Sequence, residues 1–114
     1  LKIDLIFVQL AGREMEIGRY YQKRGKYLAA LNRFREVTSN YQTTHYVPEA
    51  LHRLTEIYMT LGLTEEARST TAILGYNFPQ SEWYKDSFYL FGGSKNPGDE
   101  SNDSSKRLPF ASSR

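Results

Sequence analysis

Apolar positions in this chain recur every three or four residues, the spacing that lays a stripe along one side of an α-helix. The pattern predicts a first helix from about Ile3 to Arg24, opening on the apolar run Leu5, Ile6, Phe7, Val8 and Leu10. A second helix is expected from about Tyr27 to Asn40, with Leu31, Phe34 and Val37 in register. Thr43 and Thr44 are candidate caps for a third helix, in which Pro48 is tolerable only in the first turn and which ends near Leu61, before Gly62. Thr64 followed by Glu65 and Glu66 starts a fourth helix, with acids at the positive end of its dipole; it runs to about Leu74. Ser81 is the expected cap of a fifth helix that reaches about Phe91.

The helices are copies of a unit. At an offset of 37 residues, Tyr21 falls on Tyr58, Gly25 on Gly62, Ala30 on Ala67, Ile17 on Leu54 and Val37 on Leu74. A second step takes Tyr46 to Trp83 and Leu51 to Phe88. These are the places where tetratricopeptide repeats, with a usual period of ~34, carry their signature residues. The first unit supplies Ile17-Gly18, Tyr21, Ala30 and Phe34; the second supplies Leu54-Thr55, Tyr58, Ala67 and Pro79. It departs at Thr55 and Thr71, where Gly and Phe are expected. The longer period implies longer helices or a longer turn between repeats. Ala30 and Ala67 mark close helix approach, and Gly25 and Gly62 suit left-handed helix ends. One hairpin cannot bury its own apolar face, so the units must stack. The fold class is therefore all-α: two antiparallel helical hairpins, residues 3–42 and 43–79, and a capping helix over 81–91, a fragment of a right-handed α-solenoid. The domain ends near residue 92. From Gly92 to Arg114 the chain holds six Ser, three Gly and two Pro, a composition that predicts a disordered tail over 93–114. Leu108-Pro109-Phe110 is its only apolar spot, a short docking motif if the tail is not inert.

Composition narrows the function. Fifteen basic against thirteen acidic residues leave a net charge of +2, which argues against a dedicated nucleic-acid binder. The 114 residues include no cysteine, so thiolate metal sites and thiol nucleophiles are absent. No apolar run is long enough to span a membrane as a helix. The chain opens on Leu1 inside an apolar segment and reads as a piece of a longer protein. Aromatic residues make up 14%, nine of them Tyr, which suits helix packing at wet edges.

No catalytic constellation is visible, and no cofactor or metal is expected. His45, Glu49 and His52 have helical spacing, but two histidines at a helix start are weak grounds for a ligand set. Glu14 and Glu16 lie on different helix faces and form no carboxylate pair. Arg13, Arg19, Lys23, Arg24 and Lys26 form a basic stretch, either a solvated face or the complement of an acidic partner. Trp83 and Tyr84 either pack the capping helix or form an exposed docking patch.

The wording of the first unit, Glu14-Met15-Glu16-Ile17-Gly18-Arg19-Tyr20-Tyr21, Arg24-Gly25 and Ala29-Ala30-Leu31-Asn32-Arg33-Phe34, resembles the BamD family. So do Glu49-Ala50-Leu51, Tyr58, Leu61-Gly62-Leu63 and the run Gly75 to Tyr84. The resemblance covers about Ile3 to Phe91 and matches the last two of that family's repeats. It implies a non-enzymatic subunit of the β-barrel assembly machinery on the periplasmic face of the bacterial outer membrane. It implies contact with the POTRA region of BamA and with accessory lipoproteins, and lipid anchoring of the full-length protein. Under it, the Asn32-Arg33 pair falls in the repeat that meets BamA, with Arg33 the leading partner-binding residue; Arg19 and Lys23 of the basic stretch and Tyr20 complete the expected set. The alternative is a generic tetratricopeptide adaptor whose groove, lined by Tyr20, Tyr21 and Tyr58, takes a peptide. The apolar first helix also predicts that two copies associate through it.

Overall fold

The computed structural model describes residues 2–90, which form five helices: α1 (Lys2–Lys23), α2 (Tyr27–Asn40), α3 (Val47–Thr60), α4 (Thr64–Asn77) and α5 (Glu82–Leu90). The expected end of the fifth helix at Phe91, the tail over 93–114 and the Leu108-Pro109-Phe110 motif lie outside the described residues. Packing follows chain order: α1 lies on α2, α2 on α3, α3 on α4, and α5 rests on both α3 and α4. This is the tetratricopeptide-like all-α stack that the repeat predicts.

The turns inside the two hairpins are the same turn. After α1, Lys26 N–H donates to Tyr21 O and Gly25 N–H to Gln22 O; after α3, Leu63 N–H donates to Tyr58 O and Gly62 N–H to Met59 O. Gly25 and Gly62 have φ of 76° and 81°. These paired bonds satisfy the last carbonyls of a helix only when the residue between them is left-handed, which explains glycine at both places. The connection between the hairpins is longer, residues 41–46, and accounts for the stretched repeat period.

Two helix starts differ in kind. Ser81 Oγ accepts from Trp83 N–H at 3.0 Å and caps α5 as expected. Thr43 and Thr44 do not cap α3. Thr44 Oγ1 donates back to Tyr41 O at 2.8 Å, closing the turn before the helix, and α3 begins at Val47 with Pro48 in its first turn. Helix α4 also runs a turn past Leu74, to Asn77, with Phe78 N–H bonded to Leu74 O.

The core holds Met15, Ala30, Phe34, Val37, Leu54, Ile57, Leu74 and Phe88, with Tyr21 and Tyr58 packed at its edge. Gly18 is where α1 meets the Phe34 ring: a Cβ built there would lie 2.7 Å from Cε1 of Phe34. The second repeat solves the same crossing differently. Thr55 and Thr71 replace the Gly–Phe pair, and both are fully buried. Thr55 Oγ1 lies 2.7 Å from Thr70 Oγ1 and 3.4 Å from Thr71 Oγ1, and it donates to Leu51 O at 3.0 Å. The smaller side chain at 71 is compensated by the larger one at 55, and the hydroxyls satisfy one another. The two departures from the repeat signature are one substitution, not two.

Candidate functional site

With 3.6 residues per turn, α1 buries Ala11, Met15 and Gly18 along one strip and sends Glu14 and Tyr21 to one flank, Arg19 and Lys23 to the other. The five residues singled out from the sequence are therefore not one cluster. Arg33 and Asn32 share a cleft of about 360 Å³ with Glu14, Tyr21, Ala29 and Glu36, at the outer seam of α1 and α2. Arg19 and Lys23 line a second cleft with Gln22, Arg53 and Glu56, where α1 faces α3. Tyr20 lines neither. It stands exposed, edge-on to Tyr21 with ring centroids 5.7 Å apart and with the Arg24 guanidinium 4.5 Å over its ring.

In the outer cleft, one guanidinium nitrogen of Arg33 donates to Glu14 at 3.2 Å and 3.4 Å. The rest of the group faces solvent; the side chain is 41% exposed. Asn32 beside it is exposed, and Glu36 accepts from Asn40 at 2.6 Å. The result is a shallow polar surface with one held, outward-facing arginine, the arrangement that suits a protein contact: the side chain is already oriented and gives up little entropy on binding.

On the other flank the charges are engaged in a network. Arg19 Nε and Nη2 each donate to Glu49 at 2.8 Å, a two-pronged pair that ties α1 to α3. Arg53 donates to Glu49 at 3.3 Å and to Glu56 at 3.2 Å. Gln22 reaches Glu56 at 3.0 Å. Burial alone would raise the Glu56 carboxyl, but hydrogen bonds from His52 and Gln22 and the charges of His52 and Arg53 outweigh it and bring it down to about 2. Glu49 is likewise lowered: its burial is outweighed by the bond and charge of Arg19 and by Arg53. Arg19 is thus occupied in holding two repeats together, while Lys23 points outward with no partner among the described residues.

His52 joins α3 to α5. Its Nδ1 lies 2.7 Å from Ser87 Oγ and its Nε2 3.3 Å from Glu56. Its ring lies against Trp83, centroids 5.3 Å apart, and the Arg53 guanidinium lies 5.5 Å from the same indole. Serine, histidine and glutamate in a row invite a catalytic reading, but Ser87 is 0% exposed, so no substrate meets its hydroxyl in this structure. The row fastens the capping helix. Trp83 and the buried Tyr84 accordingly pack α5 rather than forming an open patch. His45, Glu49 and His52 turn to separate partners: His45 is exposed and stacks on Tyr46 at 4.2 Å, Glu49 holds the arginines, and His52 holds Ser87. The described residues contain no group of three metal-ligating side chains. The three tyrosines assigned to one peptide groove are also divided. Tyr21 lines the outer cleft, and Tyr58 lines a larger groove of about 700 Å³ between α2 and α4. The sequence did not reveal the Arg19–Glu49 and His52–Ser87 links, which span 30 and 35 positions. The usable signal was opposite or complementary polarity about one repeat apart.

Comparison with known proteins adds a family. The model of the family YfiO, described as an outer membrane lipoprotein, matches residues 1–74. The outer membrane protein assembly factor BamD of Caulobacter vibrioides is 56% identical over 90 residues, which cover 79% of this chain and 30% of that protein. The BamD of Rickettsia prowazekii is also 56% identical over 90 residues, 36% of its length. That of Neisseria meningitidis serogroup A is 46% identical over 72 residues, 63% of this chain. The chain spans about a third of the length of the curated relatives it matches.

Proposed function

The chain belongs to the BamD (YfiO) family of outer membrane lipoproteins, and on that premise we propose that it is the C-terminal repeat portion of an outer membrane protein assembly factor. In this reading it is a non-enzymatic scaffold at the periplasmic face of the outer membrane. It holds the POTRA region of a BamA-type protein and accessory lipoproteins, and the full-length protein carries the lipid anchor. The observation that carries the reading is the 56% identity to two assembly factors across 90 residues.

The structure supports a place for the contact. Asn32 and the outward arm of Arg33 stand on the α1–α2 seam, oriented by Glu14 and free to accept a carboxylate from a partner. Arg19, also among the partner-binding residues expected from the sequence, acts in this proposal through the repeat-to-repeat tie rather than by touching the partner. The strip Leu5, Ile6 and Leu10 on α1 is 60%, 50% and 38% exposed and supports self-association of the chain when nothing else covers it.

The test is capture of the 114-residue chain by the immobilised POTRA region of the cognate BamA at low and at high salt. Capture that weakens as salt rises is expected for a contact centred on charge. Absence of capture at both salts contradicts the scaffold role for this portion.

A further inference from the structure

The flank of α1 that faces α3 carries a second surface, separate from the Arg33 seam. Two recesses adjoin there. One, about 290 Å³, is lined by Arg19, Gln22, Lys23, Arg53 and Glu56. The other, about 350 Å³, is lined by Gln22, Tyr27, Glu56, Met59, Thr60 and Leu90. Gln22 and Glu56 belong to both, and the 3.0 Å hydrogen bond between them forms the sill from one to the next. The first recess is cationic: three basic side chains face one carboxylate, and Glu49 behind them offsets one more charge. The second is mainly apolar, walled by Tyr27, Met59 and Leu90.

Lys23 decides the character of the surface. It is exposed, it makes no ion pair among the described residues, and it sits at the C-terminal end of α1 beside Arg24 and Lys26, which are exposed and without carboxylate partners. Lys23 is the unneutralised cation of a cleft whose other two, Arg19 and Arg53, are fixed by Glu49 and Glu56, and Arg24 and Lys26 add positive charge next to it along the chain. We propose that this paired cleft binds an extended acidic peptide segment of a partner protein, a carboxylate seated between Lys23 and Arg53 and a neighbouring apolar side chain in the Tyr27–Met59–Leu90 recess. Charge complementarity chooses the acid, and the adjoining apolar recess chooses the side chain next to it. A peptide fits better than an anionic membrane because Tyr27 and Met59, two of the three apolar walls, are half-buried in the recess; a lipid surface is met by apolar side chains that project beyond the cations.

The experiment is fluorescence anisotropy of the 114-residue chain with a labelled peptide, Gly-Asp-Glu-Leu-Asp-Phe-Gly, and with a matched peptide bearing Lys in place of each acid. The expected result is saturable, salt-sensitive binding of the acidic peptide alone, weakened about ten-fold by Lys23→Glu and weakened by Leu90→Ser. Arg35→Glu, the same charge change on α2 outside both recesses, leaves it unaltered. Lys23 and Leu90 are both exposed, so neither change threatens the fold, and Lys23→Met serves as a milder second variant. Failure of the wild-type chain to bind the acidic peptide overturns the proposal. So does equal loss in Lys23→Glu and Arg35→Glu, or Lys23-dependent binding to phosphatidylglycerol vesicles in place of the peptide.

Discussion

Gly18→Ala tests whether the helix crossing in the first repeat is set by the absence of one side chain. A Cβ at position 18 would lie 2.7 Å from Cε1 and 2.8 Å from Cζ of Phe34. Phe34 is fully buried and cannot swing toward water. Overpacking of this kind costs ~1–3 kcal/mol. Alanine in mid-helix returns ~0.5–1 kcal/mol relative to glycine. The net expectation is a loss of about 1–2 kcal/mol. For a domain of this size that lowers Tm by roughly 5–15 °C. Far-UV circular dichroism during heating and in urea measures it. The clash is with one ring, so the effect must depend on that ring. In a Phe34→Leu background, which is itself destabilised, Gly18→Ala becomes neutral or stabilising, a coupling of about 1–2 kcal/mol. A Gly18→Ala protein that melts at or above the wild-type temperature, or effects that simply add in the double variant, would refute the packing argument.

The threonine crossing in the second repeat gives the converse prediction. Thr55→Val removes the hydroxyl that lies 2.7 Å from Thr70 Oγ1 and 3.4 Å from Thr71 Oγ1, while Thr70 keeps its bonds to Ala67 O and Glu66 O, and it costs ~0.5–1.5 kcal/mol in urea unfolding, whereas Thr55→Gly combined with Thr71→Phe is markedly less destabilising than the sum of its parts. Glu49 and Glu56 are both lowered in the folded chain, Glu56 to about 2, so their stabilisation is present above the ordinary carboxylate range and is lost as pH falls through the lowered values. Melting temperature is expected to hold steady from neutral pH to about 5 and then drop, and Glu56→Gln makes that drop shallower. Ser87→Ala removes the 2.7 Å partner of His52 and loosens α5; Trp83, the single tryptophan, reports it as a shift in emission at lower urea than the global transition. Light scattering is expected to show concentration-dependent association of the wild-type chain and a monomer for Leu5→Ser combined with Leu10→Ser.

Much of the fold was legible because its determinants are single residues with single reasons. Gly25 and Gly62 announce left-handed turns, Ala30 and Ala67 announce close approach, and their common spacing announces a repeat. What escaped was compensation. Thr55 and Thr71 read separately as lost signature residues, and only their contact across the hairpin shows that each accounts for the other. Thr44 looked like a helix cap because its side chain can serve one, but its hydroxyl is satisfied by the turn behind it. The charged residues were harder still. Composition and helical phase place Arg19, Lys23 and Arg33 on a surface, but they do not say which charges are spent internally. Arg19 is bound to Glu49, 30 positions away, whereas Lys23 is unpaired among the described residues. The five candidate residues were expected on one partner-binding surface; the structure puts Asn32 and Arg33 of α2 on the seam with α1, Arg19 and Lys23 on the flank of α1 that faces α3, and Tyr20 on neither.

The central claim, that the α1–α2 seam around Arg33 holds a BamA-type partner, is tested most directly by calorimetric titration of the 114-residue chain with the cognate POTRA region, comparing wild type, Arg33→Glu and Arg35→Glu. The two variants change net charge equally, and neighbouring positions on α2 separate the seam from its surroundings. The account predicts that Arg33→Glu weakens binding at least ten-fold while Arg35→Glu stays near wild type. Equal affinity of the Arg33→Glu and wild-type chains would contradict it.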